Sequence, residues 1–294
     1  MLYLSGPTGS GKTAVAIEIA KQLGNGEIVN ADAYQIYQQM PILTAAPSSS
    51  ERQAAPHHLY EVLAPTEECD VARFAQLAKA KITELQTGGK FPIITGGSGL
   101  YLKALTHGLA PTPPADPEIR SALDLRSLES LVEEYRQLDP AGAEKTNLQN
   151  RRYVSRNLEI CLITSRPASE LKSEWQIPEP DIDAFFLKRE RQATYDRINR
   201  RTHIMFDQGA VAEVAALPGE LSSTAGKAIG IRDIQQLLKH EIDEPTCIAN
   251  IQQTTRRYAK RQETWFKREP AFQVIEVTET STPQDIANHI LAQI

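Results

Sequence analysis

Gly6-Pro7-Thr8-Gly9-Ser10-Gly11-Lys12-Thr13 satisfies G-x-x-x-x-G-K-[ST]. The glycines of such a loop let successive backbone N–H groups point at one anion. Lys12 adds a positive charge, and Thr13 offers a hydroxyl to Mg²⁺. A helix that follows aims its positive end at the same place. The chemistry is therefore a diphosphate held with Mg²⁺. Loops of this class commonly serve ATP and other nucleotides, but the motif does not say what the diphosphate is attached to. A phosphoryl-transfer enzyme normally adds an apolar strand ending in a metal-holding acid. Here the run PIIT ends in Gly96-Gly97-Ser98-Gly99, without an acid. The acid at a nearby strand end is Asp32, in EIVNADAYQIY. It is either that metal-holding group or a base facing the diphosphate.

These residues need a frame. Leu2 to Ser5 is a short apolar run before the loop, and Thr13 to Leu23 has the apolar spacing of a helix. Glu27 to Asn30 reads as a strand, Val71 to Leu85 as a helix, and Phe91 to Thr95 as a strand followed by the glycine turn. Strand and helix in alternation predict an α/β fold with a parallel sheet covered by helices. The proline-rich Leu109 to Pro117 interrupts the pattern, and Pro178-Glu179-Pro180 interrupts it again. Between them, Glu118 to about Ser173 reads as helices with charged faces. Strand character returns at Asp183 to Lys188. Helix follows around Thr194 to Leu217 and Cys247 to Lys267, then a strand at Phe272 to Val277. The expected division is a catalytic core over 1–114 and 181–294, with a helical insertion over 115–180.

The 294 residues are enough for a sizeable core, and 41% hydrophobic with 23% charged residues is ordinary for a soluble globular chain. Cys69, Cys161 and Cys247 have no CxxC spacing, so they read as structural thiols of a reducing compartment rather than a disulfide or zinc framework. No run is apolar enough for a membrane span, and the loop at Gly6 leaves no room for a signal peptide before it. A cytoplasmic monomer is expected. Net charge is −5, yet Phe186 to Pro270 holds 15 Lys and Arg against 11 Asp and Glu. That asymmetry suits a local RNA-binding face or a solvated helical one. His57 and His58 are adjacent, point apart on most backbones, and lack a third ligand, so a metal pair is not expected.

The ordered motifs carry more than any one of them. Asn30-Ala31-Asp32-Ala33-Tyr34-Gln35 follows the phosphate loop, then Pro56-His57-His58-Leu59, then Gly96-Gly97-Ser98-Gly99-Leu100-Tyr101-Leu102. Arg197-Ile198 comes with Arg201, Met205, Gly209 and Glu213-Val214, and Thr255-Arg256-Arg257-Tyr258-Ala259-Lys260-Arg261-Gln262-Glu263-Thr264-Trp265-Phe266 closes the set. Nearly end to end, the chain resembles the tRNA dimethylallyltransferases, or tRNA isopentenyl transferases. The resemblance implies a P-loop nucleotide-kinase-like parallel sheet flanked by helices, with the insertion gripping tRNA. It implies transfer of a dimethylallyl group from dimethylallyl diphosphate, with Mg²⁺, to N6 of the adenosine 3′ to the anticodon, in tRNAs reading codons that start with U. A relative that prenylates free adenine nucleotides would need neither the insertion nor the basic helix near the C-terminus.

The site residues follow from that resemblance. Gly6, Pro7, Thr8, Gly9, Ser10, Gly11, Lys12, Thr13 and Arg201 would bind the diphosphate, with Thr13 also on the metal. Asp32, Ser98, Lys12 and Arg201 would act in catalysis, with Asp32 taking the N6 proton. Arg197 and Arg200, beside Arg201, would serve equally well by helix spacing alone. The tRNA contacts would come from Asp32, Ala33, Tyr34, Gln35, Ser98, Arg120, Arg152, Tyr153, Arg156, Arg257, Lys260 and Arg261, all against the anticodon stem-loop. The chain departs from the family pattern at Ala33 for serine, Ala46 for lysine, Ser98 for threonine, Tyr153 for arginine and Asn157 for alanine. Arg257, Lys260, Arg261, Thr264 and Arg268 should share one helical face, while Tyr258 and Trp265 turn into the core.

Overall fold

The computed structural model describes residues 1–174 and 181–294. They fall into two compact units, Met1–Thr106 with Pro180–Ile294, and His107–Glu179. The first boundary thus lies at Thr106 instead of 114, because the helix Gly99–Thr106, which packs on the helix Val71–Thr87, is the last element there to join the core. The break expected at Pro178-Glu179-Pro180 lies outside the described residues.

The core is one parallel sheet of β1 (Leu2–Ser5), β2 (Gly26–Asn30), β3 (His57–His58), β4 (Phe91–Gly96), β5 (Asp183–Arg189) and β6 (Gln273–Val277). The order is β3-β2-β4-β1-β5-β6, and every neighbouring pair is parallel. Successive side chains of a strand face opposite ways. Leu2, Leu4, Ile28, Ile93 and Phe185 accordingly enter one hydrophobic layer. Tyr3, Val29, Ile94, Ala184 and Phe186 enter the other. Both faces are covered, which is why these strands read as unbroken apolar runs. The helices Lys12–Leu23 and Pro283–Leu291 cover the first face. The helix Val71–Thr87 covers the second through Phe74, Ala78 and Ile82, and the helix Glu244–Phe266 joins it through Ile251 and Phe266.

The edge strand β3 was not legible in sequence. Its alternation separates the two histidines: His57 Nδ1 meets the Ala55 carbonyl at 2.8 Å, while His58 Nε2 meets Glu27 Oε2 at 2.6 Å. Among the described residues no group of three or more His, Cys, Asp or Glu could hold a metal ion. Cys69, Cys161 and Cys247 are free and buried.

The second unit is helical: Pro117–Asp124, Leu128–Leu138, Pro140–Lys145, Arg151–Thr164 and Ala168–Ser173. Leu131, Tyr135, Val154 and Leu158 give it a core of its own. Asn157 sits in that core, where it donates to the Tyr135 hydroxyl at 2.8 Å and to Thr146 Oγ1 at 3.1 Å and accepts from Lys172. A buried amide is tolerable there because its partners are supplied.

Candidate active site

Because the sheet is parallel, the chain leaves β1, β2 and β4 at one edge, where open α/β sheets bind ligands. The phosphate loop follows β1, the turn bearing Asp32 follows β2, and Gly97-Ser98 follows β4. Gly9 and Gly11 have φ of 89° and 97°, the left-handed region, so a Cβ would strain the loop at both places. The helix starts at Lys12, one residue before the expected Thr13, and no side chain caps it among the described residues; the first amides of a helix lack intrahelical partners, which suits an anion.

Lys12 Nζ donates to the carbonyls of Gly6 at 2.8 Å and Pro7 at 3.1 Å. Burial pushes its ammonium down to about 8; the charge of Asp32 opposes that shift and Arg201 adds to it. Arg201 is shifted down by burial as well, against the pull of Asp32. Lys12, Asp32 and Arg201 are thus electrostatic neighbours, as the sequence motifs required. The helix Arg191–Asp207 also resolves its three arginines. Arg201 lines the cleft beside Asp32, Arg197 Nε ties the Gly9 carbonyl at 2.8 Å, and Arg200 is exposed.

Asp32 is not a helix cap. Its Oδ1 accepts the Tyr34 amide at 2.9 Å within a turn, and its own amide donates to Asn30 Oδ1 at 2.8 Å. Among the described residues the carboxylate makes no other hydrogen bond. It faces a cleft shared with Thr8, Tyr34 and Arg201, whose remaining wall includes Leu43, Met205, Ile251 and Tyr258. Asp32 and Arg201 are its charged members, and Leu43, Met205, Ala228, Ile229 and Ile251 its apolar ones.

Ser98 Oγ accepts the Ala33 amide at 3.0 Å, and Ser98 is an electrostatic neighbour of the Tyr258 phenol. Burial and the Asp32 charge push that phenol well above its ordinary range, so it stays a neutral donor. Tyr258 therefore does not enter the core as expected: it lines the cleft and meets Tyr34 at 6.5 Å between ring centroids. Trp265 is also not core. It is 37% exposed and lies over Gly99 so closely that a Cβ there would come within 2.3 Å of the indole. The helix ends at Phe266, so Arg268 lies beyond it rather than on its cationic face.

The remaining expected residues divide by what already occupies them. Gln35 donates to the carbonyls of Thr44 at 3.0 Å and Ala45 at 2.8 Å, which leaves its oxygen available. Arg257 and Lys260 are exposed and make no ion pair among the described residues, while Arg261 lies 5.6 Å over the Tyr258 ring. In the second unit, Arg152 and Tyr153 are exposed. Arg120 and Arg156 converge instead on the buried Glu159, at 3.0 Å and 2.6 Å, and Arg156 also donates to the Pro113 carbonyl at 2.6 Å. Two contributors stand in the motifs quoted above without a role assigned to them. Glu213 holds the Ile42 and Leu43 amides at 2.9 Å and 2.8 Å, and buried Gln262 bonds both the phosphate loop and the turn after β4.

Residues 35–269 match the family model described as IPP transferase. The tRNA dimethylallyltransferase of Akkermansia muciniphila is 41% identical over 293 residues, covering 100% of this chain and 99% of its own. That of Geobacter sulfurreducens is 38% identical over 287 residues, covering 94% and 91%. The crystal structure of a tRNA isopentenylpyrophosphate transferase from Bacillus halodurans superposes with a TM-score of 0.73 at 31% identity, covering 99% of this chain and 95% of that one. A eukaryotic dimethylallyltransferase acting on tRNA gives 0.82 at 25% identity, covering 100% and 79%. On this sequence match, over essentially the whole chain, and on the fold that goes with it, the chain belongs to the IPP transferase family.

Proposed function

We propose that the protein transfers a dimethylallyl group from dimethylallyl diphosphate to N6 of the adenosine 3′ to the anticodon, in tRNAs that read codons starting with U. The observation that carries this reading is the cleft itself: Asp32 and Arg201 line it together with Leu43, Met205 and Ile251, and both charges act on the buried Lys12 of the phosphate loop. The charged groups suit a diphosphate, and Leu43, Met205 and Ile251 suit a five-carbon tail.

The chemistry explains the residue types. The adenine N6 lone pair is delocalised into the ring, so the amine is a poor nucleophile and needs a strong electrophile. An allylic carbon becomes one as its diphosphate departs. The N6–C1 bond forms, the C1–O bond breaks, and the diphosphate leaves with the electron pair. Lys12, Arg201 and the helix-end amides stabilise the charge that develops on it. Asp32 accepts the N6 proton. Reaching N6 requires the base to leave the anticodon-loop stack, which for an unpaired base costs only about a few kcal/mol. Ser98 positions the Asp32 turn through the Ala33 amide. Thr13, whose hydroxyl makes no hydrogen bond among the described residues, fits a Mg²⁺ ligand together with the donor's own oxygens, since this ion commonly uses few protein ligands. Bound there, Mg²⁺ would add positive charge beside the leaving group.

The exposed cations Arg257, Lys260 and Arg261, with Arg152 of the second unit, supply contacts for the RNA backbone. We read the protein as a cytoplasmic monomer. The test is incubation with labelled dimethylallyl diphosphate and bulk tRNA, followed by nucleoside mass spectrometry. N6-dimethylallyladenosine is expected from the wild type and none from Lys12→Ala. Tight calorimetric binding of ATP without binding of the allylic donor would replace this reading with a nucleotide kinase.

A further inference from the structure

Gln262 is 4% exposed, yet it sits in the helix whose outer face carries Arg257, Lys260 and Arg261. Its Oε1 accepts the Thr8 amide of the phosphate loop at 2.9 Å. Its Nε2 donates to the Gly97 carbonyl, in the turn that carries Ser98, at 2.9 Å. The orientation of the amide is fixed by chemistry: a backbone N–H can only donate and a carbonyl can only accept, so oxygen must face Thr8 and nitrogen Gly97. The fit is close, since a Cβ at position 97 would lie 2.0 Å from Nε2.

We infer that Gln262 is a positioning residue that fixes the distance between the donor loop and the acceptor-side turn. It touches neither reacting atom. Its amide is one rigid plane spanning the two loops that flank the cleft, and it stands on the helix offered to RNA. The same plane withdraws the Thr8 amide from the set facing the diphosphate, so the anion is held by the amides at the helix start. The inference rests on the prenyl-transfer reading, because only a reaction that joins two substrates needs those loops held in register. Misplacement by about 1 Å is enough to cost a reaction on the order of 100-fold.

Two variants test this. Gln262→Met keeps the volume and loses both hydrogen bonds. Gln262→Glu keeps the acceptor for Thr8 but sets a carboxylate against the Gly97 carbonyl. Single-turnover transfer to an anticodon stem-loop should fall by about 10- to 100-fold in both, with RNA affinity unchanged. Hydrogen exchange should accelerate together in the peptides that carry Thr8 and Gly97. For Gln262→Glu, the rate relative to wild type should recover as pH falls, because a protonated carboxyl can donate to Gly97 again. Folded variants within about threefold of wild type in rate, a ratio that ignores pH, or failure of both variants to fold would overturn the positioning role. A wild type that transfers nothing would overturn the prenyl-transfer reading instead, and the exchange measurement would still report whether Gln262 couples the two loops.

Discussion

Ser98 Oγ accepts the Ala33 amide at 3.0 Å, which ties the turn after β4 to the turn that carries Asp32. The family's serine at position 33 is missing here, but the bond uses the backbone of residue 33 and needs no side chain there. Ser98→Ala removes the acceptor of the Ala33 amide. Transfer should slow by about 10- to 100-fold, the range expected when a catalytic group loses its geometry, with little change in melting temperature. Ser98→Thr should keep near-normal activity. Single-turnover rates on an anticodon stem-loop decide between them.

Asp32→Asn preserves shape and the acceptor for the Tyr34 amide, but it cannot take a proton at neutral pH. It should fold, bind both substrates and lose a factor of about 10² to 10⁴ in the chemical step. Turnover within about threefold of wild type would assign the proton to another group. Loss of Mg²⁺ affinity, measured by calorimetry, would make Asp32 a metal ligand.

Lys12 holds its proton less tightly than an ordinary lysine, with burial lowering it from 10.5 to about 8. Two opposite pH trends result. The folded chain carries the cost of a buried ammonium below about pH 8, and that cost is relieved as pH rises toward 10.5, so stability from this group increases across that window. Donor binding needs the charge, so affinity for dimethylallyl diphosphate should be flat below the same pKa and weaken by about tenfold per pH unit above it. Titration calorimetry between pH 6.5 and about 9.5 should show this in wild type, and no such dependence in Lys12→Arg.

Burial alone would raise Glu159, but hydrogen bonds from Arg156, the Asp116 amide and Arg120 outweigh it and hold the carboxyl below its ordinary 4.5. Its contribution is present above that value and is lost as pH falls through the lower folded one. Arg156→Ala leaves a buried carboxylate short of a partner, and should destabilise the second unit by about 1–3 kcal/mol. Thermal melts of the full chain would measure this, with the deficit shrinking in acid as Glu159 protonates.

RNA affinity separates the exposed cations that make no ion pair among the described residues from those already paired with a carboxylate. Arg152→Ala and Arg261→Ala should each weaken binding of the anticodon stem-loop and flatten the logarithmic salt slope by about 0.7 to 0.9. Unchanged slopes in filter binding would make these residues solvated surface.

The sequence by itself determined the phosphate loop, the alternation of apolar runs and the order of motifs that marks the family. Those features are local or collinear: glycine spacing sets a loop, and two-sided burial gives β1, β2, β4 and β5 adjacent apolar residues such as Leu2-Tyr3-Leu4, Ile28-Val29, Ile93-Ile94 and Ala184 to Leu187. Tertiary structure decided which members of a motif face the site. Helical spacing could not choose among Arg197, Arg200 and Arg201, because a helix shows what shares a face but not what that face meets. Tyr258 has core spacing, yet its ring borders a cleft formed with loops more than two hundred residues earlier in the chain, Asp32 and Tyr34 among them. Arg156 matches an RNA-contact motif, yet the fold gives it to Glu159, because a buried carboxylate must have a partner. Gln262 is the plainest case: its hydrogen bonds to Thr8 and Gly97 span 254 and 165 residues, and no local pattern can announce partners that only folding brings within 2.9 Å.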